Sequence, residues 1–213
     1  ISLNETGNPA RHLKFNFKGT DYRIDPNRIF TRNGRSAKCS LLPEEAIPAV
    51  ETFAANLLKI LLPLNGKLRK GERILVAVHN NRNIDEAAAE DKNSDLTAYA
   101  YLKGGKAQHP FLGEYHDQVA GVFIANDETD EDNFYFVSSP TFLNYLGGRG
   151  FNVVLQKERA KLLETDCKVD DGSLSVYAGQ QNIPYINIEA DIKTGAARQK
   201  EMIETVYKMI QQR

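Results

Sequence analysis

Three short stretches place reactive side chains where a fold would present them. In ILVAVHNN, residues 74–81, an apolar β-branched run ends in His79, Asn80 and Asn81. Ligands of open α/β sheets bind beyond the carboxyl ends of the strands, so His79 stands where a neutral imidazole would hold a metal. Its plain structural role would be to cap the strand by hydrogen bonding. In PYINIEAD, residues 184–191, two-residue alternation puts Tyr185, Asn187 and Glu189 on one face and Ile186 and Ile188 on the other. A carboxylate ending an apolar strand is costly unless paired or solvated in a cleft, and partial burial raises its pKa toward general-base work. The plain alternative is a salt bridge at the rim.

The third stretch is IDPNRIFT, residues 24–31, where Pro26 makes a stiff turn presenting Asn27 and Arg28 together. A guanidinium fork matches a carboxylate bidentately and an asparagine amide adds a donor. An ordinary turn with a surface arginine is the competing reading. Upstream, Arg11 is a second cation suited to an oxyanion, with His12 beside it. Downstream, DDGSLSVYAG, residues 170–179, is a turn-rich run leading toward the Glu189 strand. His109 and His116 lie seven residues apart, a spacing at which loop histidines seldom share a metal. The acidic run 126–133 reads as a solvated loop, because it lacks the glycine and distal glutamate of an EF-hand calcium loop.

The elements that must carry these residues alternate between strand and helix patterns, which predicts an α/β fold. Residues 13–17, 74–78, 119–125, 134–137, 152–155 and 185–188 read as strands, and 74–78 suits a central strand buried on both faces. Residues 42–62 read as a helix carrying Val50, Phe53, Ala54, Leu57 and Leu61 at three- and four-residue spacing. Ser139-Pro140 caps a helix stopping at Gly147-Gly148, and residues 85–96 read as a polar surface segment. The last helix, about 194–211, is given an apolar stripe of Ile203, Val206, Tyr207 and Ile210.

Bulk properties bound the function. The 213 residues suit one sizeable domain, taken as 1–213, and a net charge of -1 leaves no electrostatic footprint for nucleic acid or an anionic membrane. No apolar run approaches the roughly 20 residues of a membrane span. Cys39 and Cys167 match no zinc or redox spacing; one disulfide and two free thiols are both open. There is no Gly-x-Ser-x-Gly elbow, phosphate-binding glycine loop or dinucleotide fingerprint, which disfavours serine hydrolases and nucleotide-binding domains.

Taken together, Arg11, Asn27-Arg28, His79 and Glu189 resemble, in order and spacing, the zinc carboxypeptidase family, the carboxypeptidase A-like metallopeptidases. The motifs IDPNRIFT and DDGSLSVYAGQQNIPYINIEA resemble a poorly characterised bacterial branch. The resemblance implies a mixed, mostly parallel sheet with helices on both faces, a zinc cofactor with His79 as ligand, Glu189 as general base and Arg11 on the oxyanion. It also implies Asn27 and Arg28 on a terminal carboxylate, Leu174 lining the pocket for the terminal side chain, and a peptide or small amide substrate, cell-wall peptides included. The family's His-x-x-Glu zinc pair, which precedes the arginine, is matched nowhere in the chain. The expectation is therefore a segment upstream of Ile1 that carries it, or a protein that lost its zinc, with His12 the nearest substitute. Cys167 stands near where the family has its mobile tyrosine. A periplasmic or secreted location is favoured, and the alternative function is a non-catalytic domain binding peptide carboxylates.

Overall fold

In the computed structural model the described residues are 12–40, 42–62, 73–81, 98, 119–125, 130–157, 167 and 170–212. They divide between two compact units, Ile1–Glu72 with Arg159–Ile183, and Arg73–Glu158 with Pro184–Arg213. The strands are β1 (Leu13–Phe17), β2 (Thr20–Ile24), β3 (Leu75–Asn81), β4 (Val119–Phe123), β5 (Phe134–Val137), β6 (Asn152–Gln156) and β7 (Tyr185–Asp191). The α-helices are α1 (Arg32–Arg35), α2 (Ala37–Ser40), α3 (Ile47–Leu61), α4 (Pro140–Gly147), α5 (Leu174–Gln180) and α6 (Ala196–Gln211).

The first unit begins with a hairpin. Lys18 and Gly19 have φ of 52° and 83°, the left-handed pair that a two-residue turn needs to match strand twist. The turn sets Phe15 opposite Tyr22, with ring centroids 5.5 Å apart. Pro43 precedes a 3-10 turn, Glu44–Ala46, so the α-helix expected over 42–62 begins only at Ile47. Its buried residues are Val50, Ala54 and Leu57, the i, i+4, i+7 stripe. They pack with Ile24, Ile29, Phe30 and Leu42, and α5 adds Leu174 and Tyr177 to this cluster. Cys39 and Cys167 are joined by a disulfide with Cα atoms 5.4 Å apart, which resolves the choice the spacing left open.

The second unit holds a five-stranded sheet in the order β3-β7-β5-β6-β4. Its neighbours alternate: β3–β7 and β5–β6 are parallel, β7–β5 and β6–β4 antiparallel. Among the described residues the sheet is therefore mixed in equal parts, where a mostly parallel one was expected. On one face Tyr135, Val137, Val153, Leu155, Ile186 and Ile188 meet Phe142 and Leu146 of α4 and Met202, Val206 and Met209 of α6. The other face carries Val119, Phe134, Phe136 and Val154 with Ala98. Among the described residues both long helices of this unit lie on one face, where helices on both were expected. The stripe expected for α6 is also out of phase, since Ile203, Tyr207 and Ile210 are exposed.

Among the described residues β3 ends the sheet instead of running through its centre. Val76 and Val78 remain 40% and 48% exposed although they lie level with the buried Ile186 and Ile188. Ser139 caps α4 as expected, its side chain accepting from the Thr141 backbone N–H.

Candidate functional site

In the parallel pairing of β3 with β7, His79 and Glu189 occupy the same register position. Each lies two residues before the carboxyl end of its strand, where a site was expected. His79 Nδ1 is 3.6 Å from Glu189 Oε1. Neighbours in register point to the same face, and Glu189 is also level with Phe134 of β5. The carboxylate thus sits between an imidazole and a phenyl ring's strand, with its side chain 15% exposed against 37% for His79.

Asn187, two residues back on the same face, donates from Nδ2 to Glu189 Oε1 at 2.6 Å. Burial pushes the Glu189 carboxyl up from 4.5 to about 7, and this hydrogen bond pulls in the opposite direction without cancelling it. The strand alternation had placed Asn187 here but assigned it no role. Gln199 of α6 was not foreseen at all. It donates to the His79 carbonyl at 2.7 Å and to Asn80 Oδ1 at 3.2 Å, tying the end of β3 to the helix.

A second network stops β7 just past Glu189. Burial alone would raise the Asp191 carboxyl, but hydrogen bonds from the backbone and hydroxyl of Thr194 and from the Lys193 N–H outweigh it and hold it below its ordinary range. Asn133 Oδ1 accepts from the Asp191 N–H at 3.1 Å. The chain turn after the strand is therefore fixed from both sides.

Neither family models, curated proteins nor solved structures match this chain.

The residues proposed for carboxylate recognition belong to the first unit. Asn27 and Arg28 lie in a 3-10 turn, Pro26–Arg28, whose entry is capped by Asp25 Oδ1 accepting from the Asn27 N–H at 2.8 Å. Arg28 Nη1 contacts Asp171 Oδ2 at 2.5 Å. Leu174 packs, half-buried, against the core of this unit. His12 is exposed. Arg11, His109, His116 and residues 85–96 lie outside the described residues, as do residues 126–129 of the acidic run.

The run 170–173, read from sequence as a turn, is bolted onto residues 27–34. Buried Asp170 accepts from Thr31 Oγ1 at 2.6 Å, from the Gly172 N–H at 3.1 Å and from Gln180 Nε2 at 3.1 Å. Asn33 Nδ2 reaches the Asp170 carbonyl at 3.1 Å, and the Phe30 N–H donates to the Gly172 carbonyl at 2.8 Å. Gly172 has φ of +79°, and a Cβ there would stand 2.2 Å from the Arg28 carbonyl oxygen. A Cβ on Gly34 would stand 2.1 Å from Gly172 Cα. Only two glycines permit this approach.

Among the described residues no group of three His, Cys, Asp or Glu side chains is arranged to hold a metal. A catalytic zinc takes three protein ligands, and the described residues around His79 do not supply three. Among the described residues no helix is long and apolar enough to cross a membrane.

Proposed function

We propose that the chain is part of a zinc-dependent, carboxypeptidase-like hydrolase that cleaves a C-terminal peptide or amide bond, cell-wall peptides being one substrate class. The observation that carries the reading is the row His79–Glu189–Asn187. A carboxyl whose proton affinity is raised to near neutrality, beside an imidazole at the carboxyl ends of two parallel strands, is suited to proton transfer at neutral pH.

In this reading Glu189 takes a proton from the attacking water and returns it to the leaving amine. Asn187 holds the carboxylate in one orientation. Asn27 and Arg28 hold the substrate's terminal carboxylate, Leu174 meets its side chain, and Arg11 stabilises the oxyanion. When bound, zinc would polarise the scissile carbonyl and acidify the water. His79 is assigned to it as one ligand, with the others drawn from outside the described residues. The disulfide supports a periplasmic or secreted location, because such bonds persist in oxidising compartments.

One observation favours a second reading. The Asn27–Arg28 turn is capped by Asp25 and paired with Asp171, and Thr31 and Asn33 just after it bond to Asp170, whereas the described residues around His79 supply one imidazole. A non-catalytic module that binds peptide carboxylates would need only the first. Metal analysis and turnover of an N-acylated dipeptide by the full-length protein separate the two. The hydrolase reading expects one zinc per chain and a fall in kcat of about 10²–10⁴ in Glu189→Gln with zinc retained, the range for loss of a general base. Unchanged turnover in that variant sinks the mechanism. Absent zinc with retained binding of the acid favours the module.

A further inference from the structure

We propose that the Asp171 carboxylate is an internal occupant of the Arg28 anion site, so that a ligand carboxylate binds there by exchanging with it. The inference rests on the reading of Asn27 and Arg28 as a carboxylate clamp and adds to it a built-in competitor.

Three features support it. First, the contact is one-sided: a single guanidinium nitrogen, Nη1, meets a single oxygen, Oδ2. A terminal carboxylate engaging two N–H groups in parallel makes the stronger arrangement. Second, the pair is reachable, with the Arg28 and Asp171 side chains 39% and 34% exposed. Third, the competitor is held in place. Asp171 Oδ1 accepts from the Ser173 N–H at 3.0 Å, and Ser173 caps α5 through its own hydroxyl. The carboxylate therefore does not drift away from Arg28 as a loose surface side chain would.

A purely structural explanation for the pair is weaker. The loop is already fixed by Asp170, by the Phe30–Gly172 backbone bond and by the approach of Gly172 to Gly34. Removing the Asp171 charge leaves all of these intact. The consequence for recognition is selectivity. Arg28 is charge-balanced at rest, so an anion gains little by proximity alone and must present both oxygens to displace the aspartate.

The test uses N-acetyl-alanyl-alanine and its C-terminal amide, titrated into the full chain and followed by NMR or calorimetry. Asp171→Asn and Asp171→Ser are compared with the wild type, and the second variant guards against a folding defect in the first. The acid is expected to bind about fivefold more tightly to both variants, the upper end for releasing a half-exposed ion pair, with the amide unchanged. Arg28→Gln is expected to abolish acid binding in every background. If Arg28→Gln abolishes binding but neither Asp171 variant tightens it, the internal-occupant proposal is wrong while the clamp stands. Acid binding that survives Arg28→Gln, or is absent from the wild type and both Asp171 variants, removes the clamp and the proposal with it.

Discussion

Replacing Glu189 by glutamine should stabilise the fold at alkaline pH and leave it unchanged at pH 4. Burial holds this carboxyl at about 7 in the folded chain against an ordinary value of 4.5, with the side chain 15% exposed. Between those values the folded chain keeps a proton that the unfolded chain has released. Stability therefore falls as pH rises through that window, and the loss is complete above about pH 7. A difference of about 2.5 units at 1.36 kcal/mol each amounts to about 3 kcal/mol. Glutamine keeps the shape, carries no charge, and its carbonyl can still accept the Asn187 hydrogen bond. Urea unfolding of wild type and variant at pH 4 and pH 8.5 reads the difference, taken from the transition of the unit that contains Glu189. A gain of equal size at both pH values, or a loss at pH 8.5, would refute the reasoning. A zinc ion at His79 would favour the carboxylate and shrink the gain, so the comparison is run in chelator and again with zinc.

The remaining expectations concern the scaffold. Replacing Cys39 and Cys167 by alanine frees a loop closed across 128 residues, a change worth about 5 kcal/mol on the chain-entropy account. Denaturant midpoints with and without reductant check it, and a loss below about 1 kcal/mol would contradict that account. Gly172→Ala forces a Cβ to 2.2 Å from the Arg28 carbonyl at positive φ and is expected to cost more than about 2 kcal/mol. A melting curve within error of wild type would show that the two backbones do not cross so closely. Tyr135→Phe removes a buried 2.8 Å hydrogen bond to the Met202 carbonyl and should cost about 1 kcal/mol by urea unfolding; no measurable change would mean the bond contributes nothing net.

Much of this architecture was legible where local signals were strong. The strand over residues 134–137 and the Ser139–Pro140 cap fall where a short apolar run and capping chemistry placed them. The alternation that put Tyr185, Asn187 and Glu189 on one face is what brings Asn187 to Glu189, and the strand-end position of His79 is what brings it to the same register. Other features were not legible for physical reasons. On α6, Met202, Val206 and Met209 form one i, i+4, i+7 stripe and Ile203, Tyr207 and Ile210 another. Both are apolar, and only tertiary packing decides that the methionines go inside. The apolar run over residues 74–78 looked central because composition reports hydrophobicity and not the number of neighbouring strands. The Cys39–Cys167 pairing and the Arg28–Asp171 contact join residues more than a hundred positions apart, and no local pattern encodes them.

The position of β7 has a consequence for how the protein is made. It lies between β3 and β5, and these two pair with it and not with each other. It is also the last strand of the sheet to leave the ribosome. At roughly 5–20 residues per second, the 104 positions from Asn81 at the end of β3 to Tyr185 at the start of β7 take about 5–21 s to synthesise. During that time β3 waits with its partner edge open. The arrival of β7 closes the sheet and brings Glu189 beside His79 in the same event. A nascent chain thus holds no His79–Glu189 pair until β7 has joined β3.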